Sequence, residues 1–365
     1  MLSHRSVFDY LVKRGLMTRA TAVDDDLVIV DVSRRNHNFK VRRRHGPGFV
    51  VKQSASTEEA ATVAREGSAY QFLQSTLPKQ TFDRHFIRCY GYDATERALV
   101  LEFAENSTSL DDCYLHRARF PPHFGAQIGR ALATLHGATR AHRDQPTLAL
   151  LPWVFSLEAP PVAALRDLSG ANLQLLKIVQ SSNEFCQRLA ALRGKWRIGC
   201  TIHGDVKSSN CLVIRAKVGD RARARIKLID WELAMRGDPA WDVGSMFQDY
   251  LAIWINSIPV IGSEGPERFV ELATYPIEKI QPALRSFWRT YRESVGVPEF
   301  ASQEFLVRSV EYAGARLVQH VYEQAQYQSQ LAGTSIYALQ VSLNILQRPH
   351  EALVHLFGIP LAGDL

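Results

Sequence analysis

The sequence predicts an α+β protein whose strands come first and whose helices follow. Three short runs with apolar or β-branched residues, at 27–32, 39–44 and 49–52, are separated by polar or glycine-proline turns, which is typical of strands. After Gly244, apolar residues recur at helical spacing through most of the chain. We therefore expect a small N-terminal lobe, an antiparallel β-sheet with a helix, and a larger, mostly α-helical C-terminal lobe.

Composition narrows the class of protein. The 365 residues suffice for two packed lobes, and a hydrophobic share of 46% with 22% charged residues is ordinary for a globular chain. The net charge of +6 comes without an aromatic-interleaved basic stretch, so nucleic-acid binding is not expected. The sequence contains no run of about 18 apolar residues, so no membrane span is expected. The five scattered cysteines lack C-x-x-C spacing, which favours a reducing cytoplasm.

The predicted elements follow from local patterns. In the first hundred residues, helices are expected at 3–14 and 57–73, with further strands at 87–92 and 98–103. The polar stretch 33–38 and the H-G-P-G stretch 45–48 are expected to be turns. The stretch 140–161 contains four prolines and is expected to be irregular. Later helices are predicted at 121–136, 171–193, 246–255, 277–294, 303–328 and 336–346.

The stretch 201–244 concentrates the residues that suit chemistry on a phosphate. Two apolar runs flank a loop with Asp205, Lys207 and Asn210, and the second run ends in Asp230. A loop carboxylate can accept the proton of an attacking hydroxyl. An amide five residues later and a carboxylate at the end of a neighbouring strand can share a magnesium ion. The plainer alternative is a hairpin whose carboxylates are turn and cap residues.

Three ordered motifs carry a family resemblance. They are H-G-D-x-x-x-x-N, which spans residues 203–210, I-D-W-E at 229–232 and G-D-P-A-W-D at 237–242. Together they resemble the protein-kinase-like superfamily, most closely the aminoglycoside phosphotransferase family. The resemblance implies a bilobal protein-kinase-like fold. It also implies that residues 1–104 form the nucleotide-binding lobe and residues 105–365 form the catalytic and acceptor-binding lobe.

The resemblance also implies roles in the C-terminal lobe and the use of ATP and magnesium (Mg2+). Asp205 would be the catalytic base, and Lys207 would meet the transferring phosphate. The metal ligands would be Asn210 and Asp230. Two further residues, His203 and Asp242, would support the catalytic loop.

In the N-terminal lobe, the resemblance implies that Lys52 pairs with the phosphates of the nucleotide and that Glu66 holds Lys52. Backbone groups from Glu102 to Ala104 would bond the adenine edge. The first turn, S-R-R-N-H-N, lacks the usual glycine, so phosphate contacts are expected from side chains such as Asn38 or Arg35.

The expected activity is transfer of phosphate from ATP to a hydroxyl of a small molecule, an aminoglycoside-like compound or another metabolite. Lys207 slightly favours a kinase with a peptide or an otherwise less polycationic acceptor. One alternative is a Ser/Thr kinase that acts on a biosynthetic peptide with the help of a partner protein. Another alternative is a nucleotide-binding pseudokinase scaffold.

Overall fold

The computed structural model describes residues 1–20, 27–33, 37–142, 151–160, 168–215, 224–259 and 271–361. Its internal contacts define two compact units. The first unit comprises Met1–Leu110 and Ser209–Ala234, and the second comprises Asp111–Ser208 and Met235–Leu365. The predicted functional division at residue 104 stays a prediction, because it concerns which ligand each part binds.

The described strands and helices are numbered in chain order. The strands are β1 (Val28–Asp31), β2 (His37–Arg42), β3 (Gly48–Gln53), β4 (Cys89–Asp93), β5 (Ala98–Phe103), β6 (Ser107–Ser109), β7 (Cys200–Ile202), β8 (Cys211–Ile214), β9 (Arg225–Leu228) and β10 (Met235–Gly237). The helices are α1 (Ser6–Lys13), α2 (Thr57–Thr76), α3 (Lys79–His85), α4 (Leu110–Arg117), α5 (Pro122–Thr139), α6 (Gly170–Ser181), α7 (Asn183–Gly194), α8 (Pro239–Asn256), α9 (Ile277–Ser294), α10 (Gln303–Ala325), α11 (Gly333–Gln347) and α12 (Pro349–His355).

An antiparallel sheet with strand order β1-β2-β3-β5-β4 forms the body of the first unit. Alternate residues of β2 and β3 point to one face, where they bury apolar side chains against α1. This shared core includes Val7 and Leu11 of the helix and Phe39, Val41 and Val51 of the sheet. Burial of this face explains why the short helix at the N-terminus forms.

A second antiparallel sheet, with order β6-β8-β9, also belongs to the first unit. Cys211 at the start of β8 pairs with Leu228 at the end of β9. The residues just before β8 and just after β9 therefore lie at the same end of this sheet. Asn210 directly precedes β8, and Asp230 is the second residue after β9.

The second unit is mostly helical. α5 packs on α9 and α8 packs on α10, while β7 and β10 form a short antiparallel ribbon. The contact between α5 and α9 is close because Gly125 and Gly129 of α5 face the backbone of α9, at Ala283 and Phe287. Their spacing of four residues puts both glycines on one side of the helix.

Adding a methyl group at this helix contact is expected to destabilise the protein. In Gly129→Ala the new Cβ would overlap the Phe287 carbonyl oxygen, so the free energy of unfolding should fall by about 1–3 kcal/mol. The matched control is Gly194→Ala at the end of α7, where a Cβ would meet nothing within 4 Å. That control should change stability by no more than about 0.5 kcal/mol. Urea unfolding of both variants measures the difference, and equal stabilities would contradict the packing.

The predicted order of a strand-rich first part and a helical remainder is observed, but several boundaries differ. The single helix predicted at 171–193 is wrong, because Ser182 adopts an extended conformation and its hydroxyl caps the start of α7. The helix predicted at 246–255 begins earlier, at Pro239, because Asp238 caps it. β2 begins at His37, so Asn38 lies on a strand and not in the predicted turn.

Three other expectations can be compared with the described residues. None of the described helices is long and apolar enough to cross a membrane. All five cysteines are free thiols, as their spacing predicts. The predicted irregular stretch 140–161 includes one short 3-10 helix, Trp153–Ser156, while residues 143–150 and Pro161 lie outside the described residues.

Candidate active site

A partly buried ion cluster joins three of the predicted site residues in the first unit. The Lys52 ammonium, at the end of β3, donates to the Glu66 carboxylate at 2.9 and 3.1 Å and to Asp230 Oδ1 at 2.8 Å. Glu66 lies in the middle of α2, and only 1% of its surface is exposed. The structure thus brings together residues that are 14 and 178 positions apart in the chain.

The protonation of each group in this cluster depends on the charges of the other groups. Burial disfavours the charged form of Lys52, but the Glu66 and Asp230 carboxylates outweigh that effect and raise its pKa. Burial also raises the pKa of Glu66, although Lys52 opposes the rise. With both carboxylates ionised, two negative charges share one ammonium. The cluster then has one negative charge in excess, which a bound cation can offset.

The two predicted metal ligands lie at the same end of the β8–β9 pair. The backbone N–H of Ile229 donates to the Asn210 carbonyl at 3.0 Å and so ties the two segments together. Asp230 follows with a positive φ of 70°, a conformation that asparagine and aspartate tolerate better than most residues. One carboxylate and one amide oxygen fit magnesium, which usually keeps several water or phosphate ligands. The residues present therefore suit that ion.

Asn38 lies opposite Lys52 in the pairing of β2 with β3, so the two side chains share one face of the sheet. Its Oδ1 atom is buried and has no hydrogen-bond partner among the described residues. A buried acceptor without a partner is unusual, which makes Asn38 a candidate for contact with a ligand. Arg35, the other side chain predicted to contact phosphate, lies outside the described residues.

The segment predicted to meet adenine is partly engaged within the first unit. The Glu102 backbone N–H donates to the Arg88 carbonyl at 2.8 Å, and its carboxylate accepts from Arg88 N–H and from Lys227 Nζ at 2.9 and 3.3 Å. The Ala104 carbonyl accepts from the Ser107 hydroxyl at 2.7 Å. Binding of adenine at 102–104 stays a prediction, and it would use backbone groups other than the two bonded here.

In the second unit, the Asp205 carboxylate lies between two cations. Lys207 Nζ donates to Asp205 Oδ2 at 2.6 Å, and Arg316 Nη2 donates to Asp205 Oδ1 at 3.1 Å. Burial raises the pKa of Asp205, but Arg316 and Lys207 outweigh it and lower the pKa to about 2. The carboxylate is therefore ionised at neutral pH and can accept a hydrogen bond from a hydroxyl.

Arg316 was not predicted from the sequence, although it donates a hydrogen bond to Asp205 from outside the loop that carries that residue. It lies on α10, is only 1% exposed, and places its guanidinium 5.7 Å from the ring centre of Trp241. One feature of the sequence could have pointed to Arg316. Arg316 interrupts the small and apolar run 313–318, A-G-A-R-L-V, and a charge inside a buried run needs a partner.

The loop that carries Asp205 is held by the first turn of α8. Asp242, fully buried, accepts from the backbone N–H groups of His203 at 2.7 Å and Gly204 at 2.9 Å. Its Oδ2 also lies 3.1 Å from Nε2 of His136. Gly204 has a φ of 84°, which residues with a side chain rarely adopt. These contacts agree with the expected supporting roles of His203 and Asp242, which stay proposals.

Asp249 is a second residue that the sequence analysis missed. Its Oδ2 accepts from the Ser208 backbone N–H at 2.9 Å, three residues after Asp205. Burial raises its pKa to about 6, although the hydrogen bonds from Ser208 oppose the rise. Asp249 therefore helps to fix the end of the catalytic loop. It lies seven residues after Asp242 on α8, so one helix contacts both ends of that loop.

Each compact unit thus holds one complete group of predicted residues. The first unit contains Lys52, Glu66, Asp230, Asn210, Asn38, Glu102 and Ala104, and the second contains Asp205, Lys207, His203 and Asp242. Convergence of Asp205 with Asp230 on one ligand stays a prediction. The five-residue step from Asp205 to Asn210 along the chain favours it.

Comparison with solved structures defines the fold as kinase-like. A choline kinase from Streptococcus pneumoniae matches with a TM-score of 0.51 at 15% identity, over 94% of this chain and 99% of that one. A glucosamine kinase in complex with glucosamine, ADP and inorganic phosphate matches with a TM-score of 0.57 at 18% identity, over 97% and 89%. The GDP and kanamycin complex of APH(2")-IIia matches with a TM-score of 0.51 at 14% identity, over 92% and 98%. The predicted α+β kinase-like fold is confirmed.

The family is established by sequence. The model of the phosphotransferase enzyme family, APH, matches residues 28–261. This chain therefore belongs to that family, as its three motifs predict, and it is a phosphotransferase. Among curated proteins compared by sequence, none matches it.

Proposed function

We propose that the protein is an ATP- and magnesium-dependent kinase that transfers the γ-phosphate to a hydroxyl of a small molecule. The observation that carries this proposal is the position of the Lys52 ammonium between Glu66 and Asp230. In kinases of this fold, a strand lysine held by a helix glutamate contacts the phosphates, and an aspartate near it binds the metal. A scaffold without activity would not need all three groups.

Each of the site residues has a separate role in the proposed phosphate transfer. Lys52 binds the phosphates near the leaving oxygen, and Glu66 holds the ammonium in place. Bound at Asn210 and Asp230, magnesium supplies positive charge to the phosphate oxygens. Asp205 accepts a hydrogen bond from the acceptor hydroxyl and takes its proton late in the transfer, because its low pKa makes it a weak base. Lys207 moves from Asp205 toward the transferring phosphate.

Support for a small acceptor comes from the family and from the fold. The choline kinase and the glucosamine kinase that share the fold carry small hydroxyl compounds in their names. Neither the comparisons nor the described residues favour a peptide acceptor or a partner protein. The pseudokinase alternative would predict loss of one of the five charged or amide groups, and all five are present: Lys52, Glu66, Asp205, Asn210 and Asp230.

The test is nucleotide binding and turnover by the full chain. Titration calorimetry with ATP should show binding that magnesium strengthens, and released ADP should accumulate in the presence of magnesium even when water is the acceptor. Omission of magnesium or addition of EDTA should abolish ADP release. The same titration with GTP in place of ATP shows which nucleotide the protein prefers. Absence of nucleotide binding, or ADP release that persists in EDTA, would overturn the proposal.

A further inference from the structure

Helix α10 turns a polar face toward Asp205 in the second unit. Arg316, Gln319, His320 and Glu323 are spaced so that they lie on one side of this helix. We call these four residues the α10 polar face. Arg316 reaches Asp205 at 3.1 Å, and Gln319 Nε2 donates to the Glu323 carboxylate at 3.0 Å. The face is therefore anchored at the predicted catalytic base.

Several atoms of this face are buried without a hydrogen-bond partner among the described residues. They are Arg316 Nε, Gln319 Oε1 and His320 Nε2, while Arg316 Nη1 makes no hydrogen bond but forms an ion pair with Glu323. Arg316 is 1% exposed and Gln319 is 7% exposed, so water does not readily serve these groups. Buried polar groups are normally paired, and a cluster that is not paired is expected where a ligand supplies the partners.

Among the residues that the structure describes, the charges in contact with the α10 polar face sum to zero. Asp205 and Glu323 are acidic, while Lys207 and Arg316 are basic, with Arg316 Nη1 3.5 Å from Glu323. Burial, together with Arg316 and Lys207, lowers the pKa of His320 to about 4, so its ring is uncharged at neutral pH. A polycationic acceptor would need a net negative surface, which these residues do not provide. An uncharged acceptor needs no net charge on the protein, so a face whose charges cancel is suited to bind it.

The groups of the α10 polar face that lack a hydrogen-bond partner include both donors and acceptors. Arg316 offers N–H donors and Gln319 offers a carbonyl acceptor, which matches hydroxyl groups because each hydroxyl both donates and accepts. An aromatic pair adjoins the face. Tyr322 lies three residues after Gln319 on α10, and its ring centre is 4.2 Å from that of Trp153. Aromatic side chains beside a few placed polar groups are typical of pockets for small ligands.

We propose that the α10 polar face binds an uncharged polyhydroxylated acceptor, a sugar or a cyclitol, and directs one of its hydroxyls to Asp205. This inference rests on the proposed kinase function and names its acceptor class. Arg316 and Gln319 hold the neighbouring hydroxyls, and Arg316 also holds the Asp205 carboxylate in place. In the transfer, the acceptor oxygen forms a bond to the γ-phosphorus, the bond to the β-γ bridging oxygen breaks, ADP leaves, and the hydroxyl proton passes to Asp205.

The first experiment compares acceptors that differ only in charge. ADP release and product mass are measured with ATP, magnesium and neutral hexoses, pentoses and inositols, beside their amino and carboxylate analogues, kanamycin and choline. We expect kcat/KM for the preferred neutral ring to exceed that of its amino analogue at least about tenfold, or about 1.4 kcal/mol. Preference for an amino, quaternary or acidic acceptor, or no neutral acceptor above the rate with water, would overturn the acceptor class.

The second experiment changes the charge of the face. Gln319→Glu keeps the shape and adds a negative charge, so KM for the neutral acceptor should rise about tenfold and the ratio of amino to neutral kcat/KM should rise with it. Gln324→Glu, an exposed position on the same helix, is the matched control and should leave both quantities unchanged. Gln319→Met removes the carbonyl acceptor at similar size, and it should raise KM without favouring the amino analogue.

The outcomes separate the two proposals. A purely structural role for Gln319 would lower the melting temperature of its variants and leave the ratio of amino to neutral acceptors unchanged, which would contradict the inference. Magnesium-dependent ADP release with no use of neutral acceptors would contradict the acceptor class and leave the kinase function standing. Failure of ATP to bind would instead contradict the kinase function itself.

Discussion

The Asp205→Asn variant is expected to transfer phosphate about a thousandfold more slowly than the natural sequence, a barrier increase of about 4 kcal/mol. The amide has nearly the same shape, but it keeps one acceptor oxygen, so it can accept from only one of the two cations, Arg316 or Lys207, that the carboxylate binds on separate oxygens. It cannot take the proton of the acceptor hydroxyl. The measurement is kcat for ADP release with a saturating acceptor, together with the ATP dissociation constant, which should change little.

The matched control for this variant is Glu299→Gln. Glu299 forms an exposed ion pair with Arg140, so the same chemical change at this position should leave kcat unaltered. Asp205→Asn with a kcat within about threefold of the natural sequence would remove Asp205 from the mechanism. A loss of ATP binding equal to the loss of turnover would show that the residue supports the fold of the site and not the chemical step.

The same variant should change how stability depends on pH. Because the pKa of Asp205 in the folded chain is about 2, below its ordinary value of 3.8, its ionised form contributes stability above about pH 4. That contribution, about 2 kcal/mol, is lost as the pH falls from about 4 through 2. The difference in free energy of unfolding between the natural protein and Asp205→Asn should therefore shrink between pH 5 and pH 2.

The Lys52→Met variant is expected to lose both activity and stability. Removal of the ammonium leaves Glu66 and Asp230 without their shared cation, and Glu66 is fully enclosed. Breaking a buried pair in this way lowers the free energy of unfolding by about 3 kcal/mol, a loss limited by protonation of Glu66. Turnover should fall at least about a hundredfold, because the phosphates lose a positioned donor. Urea unfolding and ADP release measure the two effects.

A double substitution separates the two effects. In Lys52→Met/Glu66→Gln the stranded carboxylate becomes a neutral amide, so at pH 8 the double variant should be more stable than Lys52→Met alone and equally inactive. Lys195→Met is the control lysine, since the Lys195 side chain is 48% exposed in its pair with Glu311 and its removal should change stability by less than about 1 kcal/mol. Recovery of activity in the double variant, or no gain in stability, would contradict the account of the cluster.

Local patterns in the sequence were sufficient to predict the fold class and to point to the two groups of charged residues. Individual elements of both units, such as the strand Ala98–Phe103 and the helix Ile277–Ser294, match the predicted ranges closely because alternation and helical spacing report which face is buried. The pair of Lys52 with Glu66 and the bonds of Asp242 to the catalytic loop agree with what the motifs imply.

What only the tertiary structure decided is which distant side chains meet. Arg316 reaches Asp205 from 111 residues away, and Asn38 faces Lys52 because the register of β2 with β3 places it there. The break at Ser182 divides a helix whose apolar spacing runs through it. These features arise from packing between elements, which periodicity within one element does not encode. The sequence by itself therefore determined the family and the fold class and predicted which residues act on phosphate, whereas the packing of α10 decided that Arg316 reaches Asp205.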